Sequence, residues 1–227
     1  KFSTLTGGPD TQYKSGLIGP VAVAVDGNGN LYVADAGNNR VVRYRQPFAQ
    51  PAGEPILADF AIGQASVTTG RSPNTGGRTA KTLFFSDTNN LVTTGMRFDS
   101  GGNLWVADPG NSRVLRFPVA ALADGQPSGP EADLVLGQSS FTQLVTITDP
   151  KSKINLRAPS SIAFDNSGRL FVADGLNRVL VFAPAFSNGM AAQRLMGSPK
   201  PPATGQPQPD PINEYTVGVG TSGGNIP

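Results

Sequence analysis

The sequence predicts an all-β protein: a β-propeller-type array of four-stranded antiparallel blades, three of them full, with fractional strands at the two ends. Two observations predict it. First, one pattern occurs three times in tandem. It reads Val25-Asp26-Gly-Asn-Gly-Asn-Leu-Tyr-Val-Ala-Asp35-Ala-Gly-Asn-Asn-Arg40-Val-Val-Arg-Tyr44, returns as Phe98-Asp99-Ser-Gly-Gly-Asn-Leu-Trp-Val-Ala-Asp108-Pro-Gly-Asn-Ser-Arg113-Val-Leu-Arg-Phe117, and again as Phe164-Asp165-Asn-Ser-Gly-Arg-Leu-Phe-Val-Ala-Asp174-Gly-Leu-Asn-Arg178-Val-Leu-Val-Phe182. A tandem unit of this length is a supersecondary module that buries its face only against a neighbour. Second, 28 Gly and 20 Pro against only 15% charged residues is the composition of short strands joined by tight turns.

Each element follows from residue type. Residues 1–15 are a lead-in in which Phe2–Gly7 has the shape of an isolated fourth strand. Blade 1 occupies 16–70, with strands Val21–Val25, Leu31–Asp35, Val41–Arg45 and Ile56–Ile62, the last stopping at Gly63. Blade 2 occupies 90–138, with strands at Met96–Phe98, Leu104–Asp108, Val114–Phe117 and Leu134–Leu136 before Gly137. Blade 3 occupies 154–197, with strands at Ser161–Phe164, Leu170–Asp174, Val179–Phe182 and Arg194–Met196 before Gly197. β-Branched and aromatic runs bounded by Gly/Asn clusters are hairpin signals. Residues 198–212 form a stiff Pro-rich spacer, and 213–227 hold a strand of a further or shared blade, since Val217–Ile226 matches Met96–Leu104 in type.

The pattern Asp-x-x-Gly-Asn-apolar-aromatic-Val-Ala-Asp, followed by Asn-x-Arg-Val, resembles the NHL repeat family. The resemblance covers the three repeats, and it implies a β-propeller. The third copy departs from the pattern: Arg169 replaces the turn Asn, and one residue fewer separates Asp174 from Arg178. The units are also longer than the family's usual blade. The excess, Ala65–Asn89 and Ser139–Lys153, is expected to project from one rim and carry specificity. The resemblance further implies two roles for such propellers: lyase or hydrolase with a metal in the central channel, or RNA binder.

Composition weighs among these. The chain has neither His nor Cys, which removes His general bases, catalytic triads, Cys nucleophiles and the commonest zinc ligands. Net charge is +2 with the cations dispersed, which argues against nucleic acid. No apolar run approaches the ~20 residues of a membrane span. The first residue is Lys1 rather than Met, as expected of a processed segment, and a removed signal peptide is one explanation.

The repeated charges have structural readings. Asp35/Arg40, Asp108/Arg113 and Asp174/Arg178 flank one turn and are expected to pair across it. Asp26-x-Asn28-x-Asn30 resembles the start of a calcium loop, but its copies lack the extra carboxylates, so a hairpin turn is expected. Tyr32, Trp105 and Phe171 share one repeat position, and Tyr44, Phe117 and Phe182 another; both sets are expected to pack blade on blade. Phe84 and Phe85 lie in a long connection, as loop anchors or a subunit contact.

The expectation is therefore a non-enzymatic, extracellular or cell-surface structural or interaction protein. It self-assembles into oligomers or filaments through its terminal strands, with no catalytic residue, metal or cofactor. The assembly residues are Phe2, Thr4, Leu5, Tyr215, Val217 and Val219, with Phe84 and Phe85. Expected partners are other copies of the chain and a protein or glycan on the long loops, without nucleic acid or membrane insertion. The alternative is a propeller hydrolase or lyase with a carboxylate-bound metal in the channel.

Overall fold

The computed structural model describes residues 16–70, 72–85, 93–145, 147 and 149–197. The candidate assembly residues Phe2, Thr4, Leu5, Tyr215, Val217 and Val219 lie outside them. Within the described residues the strands are β1 Pro20–Val25, β2 Leu31–Asp35, β3 Arg40–Tyr44, β4 Ala58–Ile62, β5 Met96–Phe98, β6 Leu104–Asp108, β7 Arg113–Phe117, β8 Leu134–Leu136, β9 Ser161–Phe164, β10 Leu170–Asp174, β11 Arg178–Phe182 and β12 Arg194–Met196. They form three four-stranded antiparallel sheets, each in sequence order, as the repeats predict. Among the described residues, no helix is long and apolar enough to cross a membrane.

The third strand of every sheet starts one residue before the apolar run, at its Arg. The register explains this, because Asp35, Asp108 and Asp174 sit opposite Arg40, Arg113 and Arg178. The fourth strand of blade 1 starts at Ala58 rather than Ile56; the pairing slips between Arg43 and Tyr44, and Ile56 and Leu57 stay exposed.

Both hairpin turns of each blade are encoded locally. In the first, one Asp oxygen accepts two backbone N–H bonds: Asn28 and Asn30 to Asp26, Gly101 and Asn103 to Asp99, Ser167 and Arg169 to Asp165. These are Asx-type turns, which organise backbone without any metal. In the second, the residue before the Arg is left-handed: Asn39, Ser112 and Asn177 have φ of 52°, 54° and 56°. Asn tolerates that region well, and Ser less so.

The blades stack face to face because successive side chains of a strand point to opposite faces. Tyr32, Ala34, Val41, Phe60 and Ile62 of blade 1 share one core with Met96, Leu104, Val106, Leu115 and Phe117 of blade 2. The other face of blade 2, with Trp105, Ala107, Val114, Leu134 and Leu136, meets Ile162, Leu170, Val172, Leu180 and Phe182 of blade 3. β6 is therefore buried on both faces. Tyr32 and Trp105, like Phe117 and Phe182, pack blade on blade as the repetition predicts, whereas Tyr44 packs with Val33, Val42 and Ala61 of its own blade. Tyr32 packs edge-on to Phe98 of the next blade at 5.1 Å, and Trp105 to Phe164 at 5.6 Å.

A second device also joins the blades. The connection between the third and fourth strands of one blade bonds the fourth strand of the blade before it. Ala61 donates to Ser128 Oγ and accepts from the Gly129 N–H. Val135 donates to Asn188 Oδ1 and accepts from the Gly189 N–H. The same connection of blade 3 places Phe186 on Trp105 at 4.8 Å.

Trp105, the only tryptophan, thus reports on the joint between blades 2 and 3. Phe164→Ala removes one of its two ring partners. The variant is expected to lose on the order of 2–3 kcal/mol, somewhat below the range for a fully buried ring. Its Trp105 emission should shift to longer wavelength, read by fluorescence with urea titration.

Candidate functional site

The polar groups repeated in register form three buried clamps. Asp108 and Arg113 both have fully buried side chains, as do Asp35 with Arg40 and Asp174 with Arg178 to within 1%. Arg113 Nε donates to Asp108 Oδ2 at 2.7 Å, Nη2 donates to the carbonyls of Thr79 and Thr82, and Nη1 donates to that of Phe141. The other oxygen of Asp108 accepts the Phe84 N–H at 2.7 Å, and Oδ2 also takes Asn111 Nδ2 at 2.8 Å. Full burial pushes the Asp108 carboxyl up from its ordinary value, against the pull of Arg113 and the N–H groups of Asn111 and Phe84.

The other two clamps repeat this wiring. Asp35 accepts the Ile18 N–H, and Arg40 donates to the carbonyls of Gly16, Val67 and Thr69. Asp174 accepts the Arg157 N–H, and Arg178 donates to the carbonyls of Pro150, Ser152 and Asn155. In each blade the turn glycine bonds back to that lead-in residue: Gly37 to Ile18, Gly110 to Phe84, Gly175 to Arg157. A Cβ on Gly110 would lie 2.4 Å from Phe84 Cγ, so the close approach requires glycine. These carboxylates and guanidinium groups are consumed by backbone, and the expected pairing across the turn is what they do.

The clamps also settle where the long connections go. Within the described residues they are drawn back over the second turns instead of projecting freely from a rim. Thr82 and Asn155 make parallel bridges to Gly63 and Gly137, and Asn74 and Arg78 bond Asn111. The Phe84-Phe85 pair anchors its connection. Phe85 is fully buried, its N–H donating to Asn39 Oδ1, and half-buried Phe84 covers Gly110. The Phe85 ring is taken up by the core of its own chain and offers no surface to a second subunit.

A different charge cluster seals blade 1 to blade 2. Arg43, 2% exposed, holds Asp59 through both Nε and Nη2, donates to the Leu122 carbonyl and lies over the Phe60 ring. Arg45 joins Asp59 and Asp124. Partial burial pushes the Asp59 carboxyl up, but bonds from Arg43 and Arg45 outweigh this and hold it below the ordinary aspartate range. In the sequence Arg43 and Arg116 stand out only as extra charges; the signal available was an Asp at the matching place of the fourth strand, Asp59 and Asp133. Among the described residues, no group of three or more Asp and Glu could hold a metal ion.

Residues 17–44, which carry β1 to β3 and the first clamp, match the family model of the NHL repeat. The same turn, clamp and aromatic recur in the other two sheets, which gives three four-stranded blades of β-propeller type. Among solved structures the chain is similar to a streptogramin B lyase, at 13% identity over 74% of this chain and 39% of that one, TM-score 0.38. It is similar to the hydrazine synthase of Kuenenia stuttgartiensis at 11% identity over 85% and 38% of the two chains, TM-score 0.43. It is similar to virginiamycin B lyase of Staphylococcus aureus at 12% identity over 75% and 39%, TM-score 0.39. The chain spans well under half the length of each. No curated protein sequence matches it.

Two outcomes follow from the clamps and the seal. Asp108→Ala leaves Arg113 buried without its counter-charge, and is expected to cost about 3–5 kcal/mol in urea denaturation. Asp59, its pKa lowered on folding, contributes stability that is complete above the unfolded aspartate value of about 3.9 and is lost as pH falls below it. Asp59→Asn should therefore flatten the fall in denaturation midpoint on acidification through that region.

Proposed function

We propose that the chain is a non-enzymatic structural or interaction propeller that associates with other copies of itself at the ends of its blade array, in an extracellular setting. The observation that carries this reading is the contrast between committed and uncommitted groups. The carboxylates repeated in register serve turns or arginine partners. Large apolar side chains, by contrast, stand exposed on blade 1: Phe48 fully, Val23 at 61% and Val25 at 60%. Exposed apolar surface of this kind marks association sites. The strands expected at Phe2–Leu5 and Tyr215–Val219 are assigned by this proposal to the same ends of the array.

The competing reading, a hydrolase or lyase with a carboxylate-held metal, would be restored by hydrolase activity that a chelator abolishes. The association reading is tested by light scattering over a wide dilution series. A mass of two or more chains that falls on dilution is the expected result; monomers at every concentration would sink it.

A further inference from the structure

Each blade is entered by a strap that runs over its second turn, and the straps of blades 2 and 3 differ in what their cations do. Ile18, Phe84 and Arg157 are equivalent strap residues, since each accepts a turn-glycine N–H and donates its own to the clamp aspartate. Counting back six residues from Phe84 and Arg157 aligns Arg78 with Lys151. Arg78 is engaged: its Nε donates to Asn111 Oδ1 at 2.9 Å, and Lys81 of the same strap lies 3.5 Å from Glu131. The third copy of the repeat is one residue shorter at this turn and has Leu176 where the second has Asn111. The acceptor that holds Arg78 therefore has no counterpart in blade 3, and Lys151 stands exposed.

Arg157 departs from the other blades in the same direction. Ile18 and Phe84 lay apolar side chains against Gly37 and Gly110, whereas Gly175 is approached by the Arg157 carbonyl and by Ala158. The Arg157 side chain is exposed, as is Lys153 between the two cations. Among the described residues, none of these three side chains has an ion-pair or hydrogen-bond partner. The backbone beneath them is fixed. Arg178 takes the carbonyls of Pro150, Ser152 and Asn155, Ala192 donates to that of Lys153, and Gly175 to that of Arg157. Three cations thus leave one rigid ridge, within about 20 Å of chain. The surrounding charge does not cancel them. Residues 149–197 hold six Lys and Arg against three Asp and no Glu, whereas residues 16–70 hold three against four Asp and Glu. Asp165 and Asp174 are paired with Arg169 and Arg178, and one oxygen of Asp149 accepts the Lys151 N–H.

We infer that residues 151–157 form a docking surface for an acidic polysaccharide, whose carboxylate or sulfate groups Lys151, Lys153 and Arg157 neutralise together. Ammonium groups on flexible stems suit a chain of repeated anions, where no fixed bidentate geometry is required. No aromatic residue lies between 149 and 157 to stack a base, which disfavours a single-stranded nucleic acid. Of the partners expected on the long connections, this selects a glycan. The surface is separate from self-association and adds a ligand to that reading.

The test is a binding titration of the whole chain with fluorescein-labelled heparin, a sulfated polymer, and polygalacturonate, a carboxylated one. Dextran serves as the neutral polymer and polyuridylate as the nucleic acid. At least one acidic polysaccharide is expected to bind at low salt and to be released as salt rises, while dextran does not bind. Binding of heparin alone, or of polygalacturonate alone, supports the surface and fixes its anion as sulfate or carboxylate. Lys151→Glu and Lys153→Glu, both at exposed positions, should each weaken binding about tenfold with Tm unchanged. Lys81→Glu makes the same change in net charge on the strap of blade 2 and should leave binding within about twofold of the parent. Failure of both acidic polysaccharides to bind overturns the inference, as does an equal loss in Lys81→Glu, which would mean attraction to net charge alone. Tighter binding of polyuridylate overturns the choice of partner. Light scattering on the same samples reads the oligomeric state separately, so a monomer that binds polysaccharide sinks the self-association reading and leaves this surface standing.

Discussion

A buried arginine that holds three stretches of backbone at once is the constraint on which the rest of this protein depends. Each guanidinium spends its N–H groups on one aspartate and on carbonyls of segments distant in sequence; Arg40 and Arg113 so fix a hairpin, the connection leaving the blade and the chain entering it, and Arg178 ties its hairpin to the entering chain at Pro150, Ser152 and Asn155. Lysine could neutralise the aspartate but could not reach in so many directions with fixed geometry. The desolvation of such a pair is large, and it is offset only because the remaining donors are satisfied. The clamp is a device for specifying one arrangement of loops more than a source of net stability.

This division of labour separates the polar repeat from the apolar one. Aspartate, asparagine and arginine organise each blade internally, through turns and clamps. Leucine, valine and the aromatics join blades to each other, since β6 sends Leu104 and Val106 to one neighbour and Trp105 and Ala107 to the other. The Ser128-Gly129 and Asn188-Gly189 connections bond the backbone of the outer strands, so each joint is fixed at the core and at the edge. A function built on assembly uses the second set of groups, and the first set is what makes the blade a rigid unit to assemble.

The strands and turns were legible because their rules are local. Alternation placed the strands to within a residue or two, and Asp-initiated Gly/Asn turns predicted the hairpins that Asp26, Asp99 and Asp165 organise. The stacking of Tyr32 and Trp105 on the next blade was legible from repetition alone. The course of the long connections was not. They are held by carbonyl groups, which every residue has and no sequence pattern marks. Thr79, Thr82 and Phe141 accept from Arg113 through backbone that any residue could supply. Phe85 was visible as an apolar residue in a polar stretch, but its place in the core depends on the Asn39 side chain, a contact made only when two blades meet.

β6 has both faces dry because blade 1 packs on one and blade 3 on the other. A unit packed against neighbours on both sides opens later than one held on a single side. Amide protons of Trp105, Val106 and Ala107 then define the slowest-exchanging segment of the chain, and their exchange measures global unfolding. Blades 1 and 3 can each detach while the central sheet keeps one of its two cores, which gives the molecule intermediate states that a single-core domain of this size would lack.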